Sequence, residues 1–173
     1  MDQAKWQGAW VAGRDVGQAW EVKGQNVTAW DGSAEEKREL IIESPCTVKM
    51  QKDVAGGGHE SSSYSAVWDG ETLYLGMGAA GVKKGDDYIV CAGMETYTLK
   101  GGKCSAWRED MMEPGKWTSK DGTCSVAGDT FTIPGDFGAT LKIKGNVLLS
   151  EQMEGNKAEK AADFAAAKAK ITK

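Results

Sequence analysis

The residues best equipped for chemistry are few and badly placed for it. His59, the only histidine, lies in Ala55-Gly-Gly-Gly-His-Glu-Ser-Ser-Ser63, where Ser61, His59 and Glu60 supply a hydroxyl, a base and an acid. Nucleophilic catalysis needs the base held within hydrogen-bond reach of a rigidly oriented hydroxyl. A run of small residues is expected to be an exposed, flexible loop, which cannot hold them so. Haem ligation by His59 lacks a second axial ligand in a rigid element. Met111-Met112 carry thioethers that could take copper(I), but adjacent side chains point apart in an extended chain. With Met77 and Met94 on strands, packing is the expected role of all four. Gly76-Met-Gly-Ala-Ala-Gly81 has the letters of a dinucleotide fingerprint, yet Val-Lys-Lys-Gly-Asp-Asp follows where a helix is needed. The carboxylate pairs Glu35-Glu36, Asp86-Asp87 and Glu109-Asp110 fall in expected loops. No catalytic residue, metal ligand or cofactor is assigned, and the chain is read as a non-enzyme.

The cysteines carry more information. Cys46, Cys91, Cys104 and Cys124 are an even set without the close Cys-x-x-Cys pair that zinc favours. That leaves two disulfides or four buried thiols, and the reading adopted is two disulfides. Turn positions choose among the three pairings. A hairpin at Gly101-Gly102 sets Cys104 opposite Leu99, with Cys91 too far along the ladder to bond it. If the loop at 111–115 folds the next strand back, Cys104 approaches the turn at Asp121-Gly122 and hence Cys124. Cys46–Cys91 and Cys104–Cys124 are therefore expected. They imply export to a periplasmic or extracellular space, as a mature chain without its leader; four free thiols would imply the cytoplasm instead.

The elements that must position these residues are strands. Trp20 and Val22 alternate with Glu21 and Lys23, the period of a half-buried strand. Gly24-Gln25 supplies the positive φ of a tight hairpin turn, and Asn26 to Trp30 returns. Further turn signals stand at Asp31-Gly32, Asp69-Gly70, Gly101-Gly102, Asp121-Gly122, Gly128-Asp129 and Gly145-Asn146. Residues 39–52 read as one long strand with Leu40, Ile42, Ser44, Cys46, Val48 and Met50 on one face and a bulge or edge at Pro45. Residues 76–85 read as a small-residue loop, and 88–99 as a strand broken at Gly93. Eleven or twelve short strands result. The fold class expected is all-β: a single antiparallel up-and-down barrel over residues 1–155. A short C-terminal α-helix, capped by Asn156, follows over 156–173. Its apolar face, Ala161, Phe164, Ala165 and Ile171, is small, so it is expected to bury little. The net charge of −4 and the lack of a basic stripe argue against nucleic acid. No apolar run reaches the roughly 18 residues of a transmembrane segment.

Gly8-Ala9-Trp10 at the head of the first strand resembles the Gly-x-Trp signature of the calycin superfamily, the lipocalin-like and fatty-acid-binding-protein-like barrels. Trp6-Gln-Gly-Ala-Trp10 is similar to the aromatic-x-Gly-x-Trp opening of the latter. Asp86-Asp87-Tyr88 resembles the lipocalin Thr-Asp-Tyr motif with Asp86 in the place of threonine, and the arginine of the third motif has no counterpart. The resemblance implies structural roles for Gly8 and Trp10, the latter packing across the closed end of the barrel. It also implies a small hydrophobic ligand carried inside. Alternate residues of a barrel strand point inward. Tyr64, Trp68, Tyr88, Tyr97 and Trp107 are thus the candidate lining of that pocket, unless they simply fill the core. The function expected is non-enzymatic carriage of a hydrophobic molecule. The alternative is a lipocalin-like protein-interaction module, a protease inhibitor or envelope-associated protein, with a filled barrel. Oligomeric state is left open.

Overall fold

Alternation of apolar and polar residues, interrupted by glycine turns, yields seventeen strands and two short α-helices among the described residues of the computed structural model, more strands than the sequence led us to expect. It describes residues 2–171 except Pro114, Gly122 and Phe137; the turn expected at Asp121-Gly122 thus lies partly outside the described residues. The strands do not make one barrel. A first meander runs β1 (Gly8–Val11), β2 (Ala19–Lys23), β3 (Asn26–Trp30), β4 (Glu35–Ser44), β5 (Thr47–Asp53), β6 (His59–Trp68) and β7 (Leu73–Gly76). A second runs β8 (Ala80–Lys84), β9 (Asp87–Ala92), β10 (Glu95–Lys100), β11 (Lys103–Glu109) and β12 (Trp117–Asp121). It continues through β13 (Ser125–Ala127), β14 (Thr130–Ile133), β15 (Ala139–Lys144) and β16 (Val147–Leu149). After the one-turn helix α1 (Glu151–Glu154), β17 (Lys157–Ala161) returns to the first meander, and α2 (Phe164–Ala169) ends the described chain.

β17 inserts antiparallel between β1 and β7 and closes an eight-stranded barrel in which chain neighbours are sheet neighbours. The other nine strands form a second, curled sheet in which β8 pairs with β16, and β12 and β13 are the two edges. No helix among the described residues is long and apolar enough to cross a membrane.

Several local expectations change. Residues 39–52 are a hairpin, not one strand: Pro45 and Cys46 turn the chain, and Leu40 faces Met50 while Ile42 faces Val48. Gly93-Met94 likewise turns β9 into β10, with Tyr97 opposite Val90 and Leu99 opposite Tyr88. The expected flexible loop is shorter than its composition suggested, because His59 to Ser63 pair with Asp53 to Lys49 in the β5–β6 ladder. Residues 80–84, expected within a loop, form β8. The expected C-terminal helix shrinks to α2, capped by the Asp163 carboxylate, which accepts from the Ala166 amide at 2.8 Å. α2 packs on the outside of the barrel, where Ala167 meets Ala9 and Ala19.

Asn156, expected to cap that helix, is instead wholly buried and ties the barrel's last strand to its first loop. Its side-chain amide donates to Asp15 (2.9 Å) and to the Gln152 carbonyl (2.7 Å), and its side-chain oxygen accepts from the Asp15 amide (2.8 Å). Its own carbonyl accepts from the Leu75 amide at 2.9 Å. This fit requires Gly76: a Cβ there would lie 2.8 Å from the Asn156 Cγ.

The two sheets join through Cys46, Val67, Tyr74, Cys91, Leu149 and Met153, across which the Cys46–Cys91 disulfide runs (Cα–Cα 5.8 Å). Cys104–Cys124 is the second bond (Cα–Cα 5.6 Å), and Cys104 faces Leu99 across the Gly101-Gly102 hairpin. Both pairings are those expected, and such bonds suit an oxidising compartment.

Candidate functional site

The barrel interior is filled with indoles. Trp6, Trp10, Trp20 and Trp68 share one core with Leu40, Met50 and Leu75. Trp10 meets Trp68 edge-on at 5.5 Å, Trp68 meets Trp6 at 6.3 Å, and Trp20 lies 5.7 Å from Tyr64. Edge-on and tilted contacts are the favourable geometries for such rings. Trp6 reaches this core from a turn at Gln3–Trp6, held in place where the Gln7 side chain both accepts from the Gly24 amide (2.7 Å) and donates to its carbonyl (3.1 Å). Trp10, on the strand headed by Gly8, donates its indole N–H to the Trp6 carbonyl at 2.8 Å.

Farther along the face that carries Leu40 and Met50, apolar packing gives way to ions. Glu36, Arg38, Lys52 and Glu60 form a network in which Arg38 Nε donates to Glu36 at 2.7 Å and Lys52 bridges both acids. Lys52 first and Arg38 second hold the Glu36 carboxyl below its ordinary range.

The second sheet fills its concave side with Tyr88, Val90, Tyr97, Leu99, Phe131 and Leu141. Tyr97 is pushed up to about 12 by burial and then by its hydrogen bond to the Glu95 carboxylate.

The five aromatic residues singled out from sequence are therefore dispersed. Tyr64 and Trp68 pack into the barrel core, and Tyr88 and Tyr97 into that of the second sheet. Trp107 stands outside both cores, with 43% of its surface exposed, and Tyr64, only half-buried, reaches from the barrel core to the edge of the same cleft. His59, exposed on β6, pairs with Asp53 at 2.7 Å.

Trp107 stands in a cleft where the second sheet diverges from the barrel. Cys91, Thr96 and Trp107 are successive register partners across β9, β10 and β11, so they share the sheet face that meets the barrel. Glu109, two residues beyond Trp107, lies on that face directly opposite Trp117 of β12. Trp117 is 41% exposed. The opposite wall comes from the β4–β5 hairpin through Glu43, Ser44 and Thr47. Two adjoining hollows result, of about 220 and 280 Å³, sharing Glu43, Thr47, Thr96 and Trp117. The first extends past Met77 and Met94, which are 58% and 38% exposed. A single exposed apolar residue means little, whereas two tryptophans and two methionines around one cleft make a patch of the kind found at interaction sites.

A larger depression of about 500 Å³ on β4 and β5 is lined by charged and amide side chains such as Lys37, Arg38, Glu39 and Gln51, and offers no apolar anchor. Sequence reasoning missed Trp117, Glu43 and Glu109 as site residues. The available signal was Trp107-x-Glu109 on one strand face, followed by a tryptophan opening the next strand. Compared with known proteins, the chain matches no family model, no curated protein and no solved structure.

Proposed function

We propose that the protein is a non-enzymatic interaction module, exported to the periplasm or beyond, that engages a protein partner through the cleft between its two sheets. The observation that carries this reading is the division of the tryptophans. Four fill the barrel, where a carried ligand would have to sit, while Trp107 and Trp117 stand half exposed together outside it. Size supports it further. Each of the two adjoining hollows, of about 220 and 280 Å³, is by itself smaller than the 300–1,000 Å³ of usual small-molecule pockets. They suit single side chains presented by something larger. The calycin resemblance of Gly8-Ala9-Trp10 enters as a scaffold, and the two disulfides are what an exported domain of this kind uses.

The competing reading, a small hydrophobic ligand inside the barrel, makes a different forecast for one titration. An environment-sensitive apolar dye is added to the native protein and to the Trp107→Ala/Trp117→Ala variant. We expect weak dye binding that the double substitution abolishes while circular dichroism shows the native fold retained. Tight, one-to-one binding that survives the double substitution, and that fatty acid displaces, would move the site into the barrel.

A further inference from the structure

The chemistry of the cleft specifies more than an apolar contact. Among the described residues lining its two hollows the only charged side chains are carboxylates, Glu43 and Glu109. Glu43 is neutralised by Lys49 of β5. Glu109 is not: among the described residues its carboxylate accepts only the Gly115 amide, at 2.9 Å, which leaves its charge without a counter-ion. The ladder fixes what surrounds it. Trp117 is its direct cross-strand partner, and Trp107 is its same-face neighbour two residues earlier on β11. One carboxylate is thus flanked by two half-exposed indoles on a single sheet face.

An anionic guest is disfavoured there, since among the described residues no lysine or arginine lines either hollow. A purely aliphatic guest would bury the Glu109 charge without compensation. A cation satisfies every component. The indole face attracts it through the ring quadrupole, and the carboxylate supplies the opposite charge. Guanidinium suits the site better than ammonium, because it is planar, stacks on tryptophan and sheds water more easily. Resting on the interaction-module reading above, we infer that the partner's anchor is a cationic side chain, arginine in preference to lysine, seated between Trp107 and Trp117 on Glu109. The net charge of −4 steers such a partner toward the protein.

The test is an NMR titration of the tryptophan indole N–H signals in ¹⁵N-labelled protein with four capped tripeptides, Gly-X-Gly, where X is Arg, Lys, Leu or Glu. Trp107→Phe and Trp117→Phe variants assign the two signals. We expect the arginine peptide to shift both saturably, the lysine peptide more weakly and the other two not at all. Glu109→Gln should weaken the arginine peptide by roughly tenfold, as should a rise in salt from 0.05 to about 0.5 M. Because Glu109 is partly exposed, the indole signals of the barrel core should stay in place in Glu109→Gln.

Two results would overturn the inference while leaving the cleft as an interaction surface. One is a leucine peptide that shifts the same signals as strongly as arginine, with Glu109→Gln silent. The other is a neutral saccharide that shifts them when no peptide does. If no probe moves either indole and the Trp107→Ala/Trp117→Ala variant binds apolar dye like the native protein, the interaction-module reading falls with it.

Discussion

The barrel and the second sheet are both meanders that bring a first strand back beside a last one, and they finish the circuit differently. The barrel closes entirely by hydrogen bonds, because β17 arrives from the far end of the chain to fill the gap between β1 and β7. The second sheet pairs β8 with β16 and leaves its break in the middle, between the edges β12 and β13. There a disulfide, Cys104–Cys124, stands near the break. Strand closure removes the sheet's edges by backbone pairing but depends on residues distant in sequence, whereas a covalent link is local and leaves an edge free. One of the two free edges is β12, whose Trp117 opens onto the cleft. The closed half and the half with an edge thus differ in where their tryptophans go: Trp6, Trp10, Trp20 and Trp68 pack in the barrel, while Trp107 and Trp117 of β11 and β12 stand half exposed.

The strongest way to break this contrast is to end the chain after Gly155. Without β17 and Asn156, β1 and β7 become bare edges. At about 1 kcal/mol per net backbone hydrogen bond, and 1–3 for each buried polar group left unpaired, the barrel should lose about 5 kcal/mol or more. Hydrogen exchange should show β1 and β7 unprotected with β9 and β10 still protected. Native protection in β1 would sink the idea that β17 closes the barrel.

The disulfides sharpen the contrast at smaller cost. Paired Cys→Ala substitutions should cost about 4 kcal/mol for Cys46–Cys91 and about 3 for Cys104–Cys124, from separations of 45 and 20 residues. Loss of the second should raise exchange in β11 to β13 alone, and equal loosening of β2 and β3 would contradict the division.

Weaker still is the response to pH. Asp31 is lowered to about 2, chiefly by the Ala34 amide, and Glu36 is lowered by Lys52. Both lie on the barrel side. Stability linked to a lowered carboxyl is present above its ordinary value and is lost as pH falls through the folded one. Acid should therefore loosen β3 to β5 first, from about pH 4 toward 2. Tyr97, raised to about 12, has the opposite sign: its contribution holds below pH 10 and fades as pH climbs toward 12, so alkali should loosen β9 to β11 first. Exchange read strand by strand at both extremes checks the order.

Much of this was legible in the sequence, and the failures have physical causes. Glycine turns placed most hairpins, and the same turns placed the cysteines well enough to pair them. The 39–52 error arose because the register shift between Ile42 and Ser44 undoes the change of parity that a two-residue turn would otherwise impose. Leu40 and Ile42 face Met50 and Val48, so alternation continues unbroken through Pro45-Cys46. Lys157–Ala161 has helix-forming composition, and pairing with two open edges overrides that preference. The aromatic candidates failed differently. Period two tells which residues share a face. It does not tell whether that face turns to a core, as for Tyr88 and Tyr97, or to a cleft between sheets, as for Trp107. That depends on where the chain leaves the barrel after Gly76, which no local pattern records.

The late return of β17 also has a consequence in time. While a ribosome makes residues 77 to 156 at about 5–20 residues per second, β1 to β7 wait for roughly 4–16 s as an unclosed sheet. Its two outer strands are then open to pairing with any neighbouring chain. The second sheet, whose strands are contiguous from β8 to β16, can finish before the barrel that precedes it. Newly made chains crowded together should therefore entangle through β1 and β7, and a holding chaperone is needed most during that interval.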